Sequence, residues 1–195
     1  MHESVDSDFP LLGEPLCVDL VNTRARRDGA VVDLLDGVSA LKAWLALERA
    51  RGGWRGAVSA ADLVAVRELR DAVDGLLRAR AARRHPSPDA VDAVNLALSA
   101  RVPEPRLAWT GRDPERRWET KGAAGARDTF LRQVALDTVE LLTGPRAQWL
   151  RKCAHPDCML LFVADNRRRR WCSSARCGNR ARVARHYSRV RGRAG

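Results

Sequence analysis

The chain has 195 residues, 45% of them hydrophobic, which allows one ordinary domain with an appendix or two small domains and excludes wholesale disorder. Its formal net charge is +11, from 35 basic against 24 acidic side chains, and Lys42, Lys121 and Lys152 are the only lysines. Residues 151–195 hold thirteen basic and two acidic side chains, so the excess lies entirely there and residues 1–150 are neutral. A neutral body with a basic tail fits a polyanionic partner. The opening MHESVDSDFP is acidic and lacks the apolar stretch of a secretory signal. The run from Met159 to Ala164 is too short to span a membrane, so a cytoplasmic location is expected, where structural disulfides are uncommon.

In chain order, GEPLCVDLVNT (Gly13–Thr23) comes first, with Leu16, Asp19, Leu20 and Thr23 at helical spacing. Residues 38–50 read as a helix carrying Leu41, Trp44, Leu45 and Leu47. SAAD at Ser59 has the form of a capping box. It opens a long helix with Leu63, Val66, Leu69, Val73, Leu76 and Leu77 on one face, expected to end near Arg84. Ser87-Pro88 restarts a helix carrying Val91, Val94 and Leu98. Between Arg101 and Gly125 the segments RLAWTG and RRWETKG, joined by GRDPE, predict a β-hairpin. Asp128 to Leu142 returns to helical spacing, and Gly144-Pro145 breaks the chain. The expected fold is mainly α with a small β-hairpin over residues 1–144, followed by a small zinc-stabilised ββα-type finger over residues 145–195. Core packing is the expected role of Trp44, Trp54, Trp109 and Trp118. Cys17, alone in an apolar patch, is expected in the core rather than as a nucleophile.

Four of the five cysteines form two matched pairs, Cys153-x4-Cys158 and Cys172-x4-Cys177, with thirteen residues between them. Each pair can set two thiolates on one turn, and four thiolates close a tetrahedral shell around Zn²⁺. Disulfides, an iron–sulfur cluster and unrelated buried thiols are the alternatives. A closed shell leaves no open position for substrate, so the zinc would be structural. A tail of about 45 residues is too small to fold on an ordinary core and would take much of its folding free energy from the metal. Met159 to Val163 reads as a strand leaving the first pair, and Arg168 to Trp171 as the strand returning to the second.

The second pair runs into a helix. At helical spacing Arg182, Arg185, Arg189 and Arg193 make one basic stripe beside an apolar stripe of Val183, Tyr187 and Val190, with Arg180 flanking it. Arg167, Arg168, Arg169 and Arg170 add a basic patch at the hairpin turn. With almost no acidic residues nearby, these arginines are the candidate nucleic-acid contacts.

Cys177-Gly178-Asn179-Arg180 matches the signature of the CGNR-type zinc finger, and CAHPDCMLLFVAD and WCSSARCGNRARVARHY are similar to the same family. GEPLCVDLVNT resembles the opening motif of the ABATE domain, which commonly precedes that finger. The resemblance covers nearly the whole chain. It implies that Cys153, Cys158, Cys172 and Cys177 bind zinc, and that the protein is a stress-related bacterial transcription regulator with DNA as partner. Gly178 is expected to permit close backbone approach, and Asn179 to tie the helix start to the knuckle.

Three function classes compete at this level. A DNA-binding regulator uses the first domain for a small-molecule ligand, for homodimerisation or for another protein. A metal-dependent nuclease would draw on His155, Asn166, Asn179 and His186, but no carboxylate cluster accompanies them. An interaction module would turn the arginines towards RNA or an acidic protein. The first domain carries no phosphate loop, dinucleotide fingerprint or nucleophile motif, so an enzyme is not expected.

Overall fold

A computed structural model of the chain describes residues 9–52, 54, 56–101, 104–119 and 125–191, with residues 51, 52, 104, 118, 119 and 186–191 as backbone only. Helix α1 (Leu16–Val21) starts directly after Pro15, and all six of its residues are buried. It lies at the centre, against α4 (Ala60–Ala81), α6 (Ala126–Thr143) and a strand from the cysteine-rich tail. Between α1 and α2 (Val38–Leu47) stands a hairpin of β1 (Arg24–Arg27) and β2 (Ala30–Asp33) that the sequence reading missed. Its two turn residues, Asp28 and Gly29, both have positive φ, 48° and 83°, as a two-residue hairpin turn of matching twist requires. Asp-Gly is the standard sequence sign of that turn. Here it stood between two four-residue strands, RARR and AVVD, neither of which alternates clearly.

Helix α2 buries Leu41, Trp44 and Leu45, while Leu47 is exposed; α3 (Arg49–Gly52) follows. Helix α4 begins with the capping box: Ser59 Oγ accepts from the Asp62 amide, and Asp62 accepts from the Ser59 amide at 2.8 Å. Its six apolar positions are all buried. The helix ends at Ala81, three residues short of expectation. Arg83 takes a left-handed φ of 54° and the Arg84 amide folds back to the Ala79 carbonyl, a Schellman closure without its usual glycine. Helix α5 (Pro88–Leu98) returns along α4, and α6 packs across both. The hairpin of β3 (Glu104–Thr110) and β4 (Asp113–Glu119) turns at Gly111, φ 66°. Its outer residues Leu107 and Trp109 are exposed, so Trp109 is not a core residue as expected; the strands pair with one another rather than with the helices. Trp44 and Trp54 both pack on Phe130. The side chain of Trp118 lies outside the described residues.

After α6 a 3₁₀ turn (Pro145–Trp149) leads into β5 (Leu150–Lys152), which pairs antiparallel with β6 (Leu161–Val163). This corrects the expected hairpin. β6 pairs with the strand before the first cysteine pair, and Arg168 to Trp171 form no strand. Strand β6 is buried on both faces. Leu161 and Val163 enter the helical core with Leu150, while Leu160, Phe162 and Ala164 face the cysteines. The tail therefore shares the core of the first segment.

Arg70, on the apolar side of α4, is 1% exposed and makes a two-pronged ion pair with Asp33 at 2.6 and 2.7 Å. It also donates to Thr23 Oγ1, and neighbouring Arg67 reaches the Leu35 carbonyl. These contacts fix the base of the β1–β2 hairpin to α4. Burial alone would raise the Asp33 carboxyl, but the hydrogen bonds and charge of Arg70 outweigh it and hold it below the usual range. A carboxyl lowered in the folded state contributes its full stability above the unfolded value of about 4, and loses it as pH falls through the lowered folded value. Asp33→Asn leaves a buried guanidinium half-paired and is expected to cost about 3 kcal/mol at pH 7 in urea unfolding. The difference from the parent should shrink as pH drops below about 4; a gap that stays constant with pH would contradict this account.

Candidate metal centre and basic surface

The four tail cysteines meet in one buried cluster, with every Sγ within 4.8 Å of the others. Cys158 and Cys172 sulfurs stand 3.9 Å apart and Cys172 and Cys177 3.6 Å, far beyond a disulfide bond. A tetrahedral zinc site with Zn–S bonds of about 2.3 Å has sulfur–sulfur edges of about 3.8 Å, so the donor set and its spacing fit the ion. Each pair sits on a local turn for a backbone reason. The Cys153 amide donates to the Leu160 carbonyl, and the Cys158 amide to His155. His155 Nδ1 accepts from the Asp157 amide, which holds this imidazole in the knuckle. Cys177 lies in a π-helical turn (Ser174–Gly178) that continues into α7 (Asn179–Arg191) and is capped by the Ser173 side chain. At Gly178 a Cβ would meet the Ser173 carbonyl oxygen and Trp171 Cδ1 at 3.4 Å each, the edge of ordinary contact, so packing alone does not demand the glycine expected there. Asn179 is exposed and joins the knuckle through its backbone amide, bonded to the Arg176 carbonyl, rather than through its side chain.

The sulfurs cannot all ionise by themselves. Hydrogen bonding with Cys153 pushes Cys158 up to about 12, and sharing with Cys153 and Cys158 raises Cys172, while the same bonds lower Cys153. A divalent cation counters this by stabilising the thiolate form of all four. Arg180 donates to Cys177 Sγ at 3.3 Å, and the Cys172 amide to Cys153 Sγ at 3.4 Å, both spreading sulfur charge outward. Among the described residues this is the one group of side chains able to hold a metal ion. Cys17 lies apart from it, fully buried in α1, and burial followed by the nearby Asp137 carboxylate pushes its thiol up.

The opening motif of the chain reaches this site. Asn22 donates to the Leu161 carbonyl at 3.0 Å and accepts from the Leu161 amide at 2.9 Å, pairing with β6 as a neighbouring strand would. Glu14 Oε2 accepts from the Val163 amide at 2.8 Å, and its Oε1 accepts from Arg169 at 2.9 Å. From α4, Arg78 donates to the Met159 carbonyl. Sequence spacing placed Glu14 and Asn22 in an apolar patch but gave no sign of these partners about 140 positions away.

The candidate arginines separate into two groups. Arg169 turns inward. Besides Glu14 it donates to the Val163, Trp171 and Cys172 carbonyls, and it lies 4.6 Å over the Phe162 ring. Its expected role as a nucleic-acid contact is therefore corrected: the guanidinium is consumed in holding the loop. Arg167, Arg168 and Arg170 are exposed on that loop, which Asn166 shapes by accepting from the Arg168 and Arg169 amides. Arg151 steadies it from β5 through the Arg167 and Arg169 carbonyls. Arg182 and Arg185 are exposed on α7. Val183, of the apolar stripe read from the sequence, is also exposed. Arg189 lies on α7 with its side chain outside the described residues, as do those of Tyr187 and Val190, and Arg193 lies outside them altogether.

Two family models match the chain, one after the other. A family model described as "Putative stress-induced transcription regulator", ABATE, matches residues 14–145. The chain belongs to the ABATE family. A CGNR zinc finger model matches residues 149–190, directly after it. The finger family and the four clustered cysteines together imply one structural zinc ion. Both descriptions are of regulator and zinc-finger types, and neither is of an enzyme family. No curated protein matches the chain. Among the described residues no helix is long and apolar enough to cross a membrane.

Two outcomes test the centre. The chain should carry one zinc per molecule by elemental analysis. Cys172→Ser should lose it, lower Tm on the order of 10 °C or more, and do so in a single transition because β6 belongs to the shared core. An unchanged Tm in the zinc-free variant would refute the metal's structural role. Asn22→Ala strands the Leu161 amide and carbonyl and should cost about 2–4 kcal/mol. Hydrogen exchange should then report lost protection at the Leu161 amide; retained protection would show that β6 does not depend on Asn22.

Proposed function

We propose that this ABATE protein is a DNA-binding transcription regulator whose zinc-stapled tail presents arginines to duplex DNA. The observation that carries the reading is the exposed set Arg167, Arg168, Arg170, Arg182 and Arg185, none of which has a carboxylate partner among the described residues. Unopposed guanidinium groups on a rigid frame suit phosphate oxygens, which they can meet bidentately. The shell of four thiolates gives the metal no open position, so the zinc serves the frame and not a reaction. The nuclease alternative loses support from the geometry: His155 and Asn166 are engaged in shaping turns.

The first segment is the place for a signal. Helices α4, α5 and α6 border an apolar cleft of about 450 Å³, walled by Ala65, Leu69, Ala93, Leu96, Ala97 and Leu131. A small apolar effector there, or a second copy of the chain, would act through α4, whose Arg78 touches the chain just before β6.

Fluorescence anisotropy with the full chain and a mixed-sequence DNA duplex tests the reading. Binding should weaken steeply with salt. Arg182→Ala with Arg185→Ala should lower affinity about tenfold or more and reduce the salt slope by about 2, leaving zinc content and Tm unchanged. Arg169→Ala should instead lower Tm. Equal DNA binding by parent and double variant would sink the proposal, and a preference for RNA or for an acidic peptide would move the function to that partner. Removing the whole tail is a poor control, because Leu150, Leu161 and Val163 leave the core with it.

A further inference from the structure

Strands β3 and β4 pair only with one another, and a lone two-stranded ribbon is marginal in water. Cross-strand neighbours share a face, so the register Leu107–Arg116 and Trp109–Pro114 sets Pro105, Leu107, Trp109 and Pro114 on one side. Leu107 is 77% and Trp109 68% exposed, so this apolar face is uncovered within the chain. The opposite side is polar and already paired, since Thr110, Glu115 and Arg117 bond one another. An exposed apolar patch on a ribbon without a core of its own marks a contact surface. At the tip of the ribbon Arg112 is exposed and has no carboxylate partner among the described residues. The cleft between α4, α5 and α6 measures about 450 Å³ and is apolar except for Glu68, Ser99, Arg127 and Asp128. Ser99 donates to the Leu96 carbonyl, and Arg127 is paired with Asp128. Glu68 is exposed at the edge of the cleft and alone of these has no polar partner among the described residues. A small-molecule site fixes its ligand through several convergent polar groups, and this cleft offers one. A single acidic group beside an apolar slot suits an apolar side chain with a cation next to it.

We propose that the cleft receives the β3–β4 hairpin of a second copy of the chain, with Trp109 and Leu107 of one copy laid between α4, α5 and α6 of the other and Arg112 meeting Glu68 across the contact. The proposal rests on the reading of the cleft as the first segment's interaction site, not on DNA binding, and it selects the second copy over a small effector. Both halves of the contact belong to one chain, so a two-fold axis lets each copy give a hairpin and receive one, and the assembly closes as a dimer. Covering a tryptophan removes about 150–250 Å² from water and the wall beneath it loses a similar area, so two insertions of Trp109 with Leu107 come to about 1,200 Å², the lower end of a specific interface. That area supports a reversible dimer rather than an obligate one. Leu96, 75% exposed in the lining of the cleft, is covered in the same step. Each dimer then carries two fingers related by the same axis, the arrangement that suits a DNA site of two inverted halves.

The test uses the full zinc-loaded chain without DNA, in sedimentation velocity from about 1 μM to about 1 mM, the range in which an interface of this size associates. The parent should pass from monomer to dimer across that range. Trp109→Ala, which removes the inserted ring, and Ala97→Trp, which fills the cleft, should each weaken association about tenfold or more, and the exposed Trp109→Ala should leave zinc content and Tm unchanged. Val31→Ala, at an exposed apolar position on β2, should leave association as it is. Arg112→Glu and Glu68→Arg should each weaken it several-fold, and the two combined should restore it. A parent that stays monomeric throughout overturns the proposal, and so does a dimer that neither Trp109→Ala nor the charge reversals weaken. If no dimer forms and anilinonaphthalene sulfonate binds the parent but not Ala97→Trp, the cleft belongs to a small apolar effector instead. A parent that dimerises but fails to bind DNA would sink the DNA reading and leave the dimer standing, so the two fail separately.

Discussion

Strand β6 is three residues long and is held from both edges, by β5 on one side and by the side chains of Asn22 and Glu14 on the other. A lone two-stranded ribbon of this length is not stable in water. The pleat sends Leu161 and Val163 into the helical core and Leu160 and Phe162 towards the sulfurs. One buried strand is thus a wall of two cores. Burying the Leu and Val side chains of β6 contributes roughly 1.5–3 kcal/mol each, provided that the backbone beneath them is paired. The odd-numbered amides face away from β5, and in a dry core an unpaired amide costs about as much as its side chain gains. Asn22 and Glu14 remove that cost, and they sit on or beside α1 because that helix passes the free edge.

This arrangement ties the metal to the rest of the chain. Zinc fixes Cys153 and Cys158 at either end of the knuckle that joins β5 to β6, and so sets the register in which Leu161 and Val163 reach the core. The two family matches adjoin in sequence, but their segments share side chains in space. Arg169 closes the loop. It bonds Glu14 of the opening motif and three carbonyls of the finger while lying over Phe162, so one guanidinium spans both segments. The two matched segments are therefore joined by a shared core and by Arg169, which links the residues before α1 to the loop carrying Arg168 and Arg170.

What was readable in the sequence was local. The capping box at Ser59, the proline start at Ser87-Pro88, the apolar faces of α4 and α6 and the paired cysteines all depend on neighbours within a turn or two. The failures share a cause. Pairing β6 with β5 rather than with Arg168–Trp171 depends on which strand the zinc knuckle folds against, and the segment that lies nearer in sequence is the one that does not pair. Arg70 sits among apolar positions of α4 without a signal, because its partner Asp33 belongs to a hairpin that went unread. That hairpin did carry a sign, Asp28-Gly29. The four-residue strands around it, RARR and AVVD, are too short to show a period, and the buried Ala25 between arginines is covered by the cysteine cluster rather than by an apolar layer.

Four consecutive arginines at 167–170 show why composition alone cannot assign an interface. The residue types are identical, but Asn166 bonds the Arg168 and Arg169 amides and sets the curvature of the turn. That curvature sends the third arginine towards Glu14 and leaves its neighbours in solvent. A carboxylate buried to 4% exposure needs a cation, and the geometry of the turn selects which arginine supplies it. The unopposed arginines are then a consequence of structure as much as of charge count. Once one guanidinium satisfies the buried Glu14, Arg167, Arg168 and Arg170 have no carboxylate partner among the described residues, and the positive field they create is directed outward, where a polyanion can meet it.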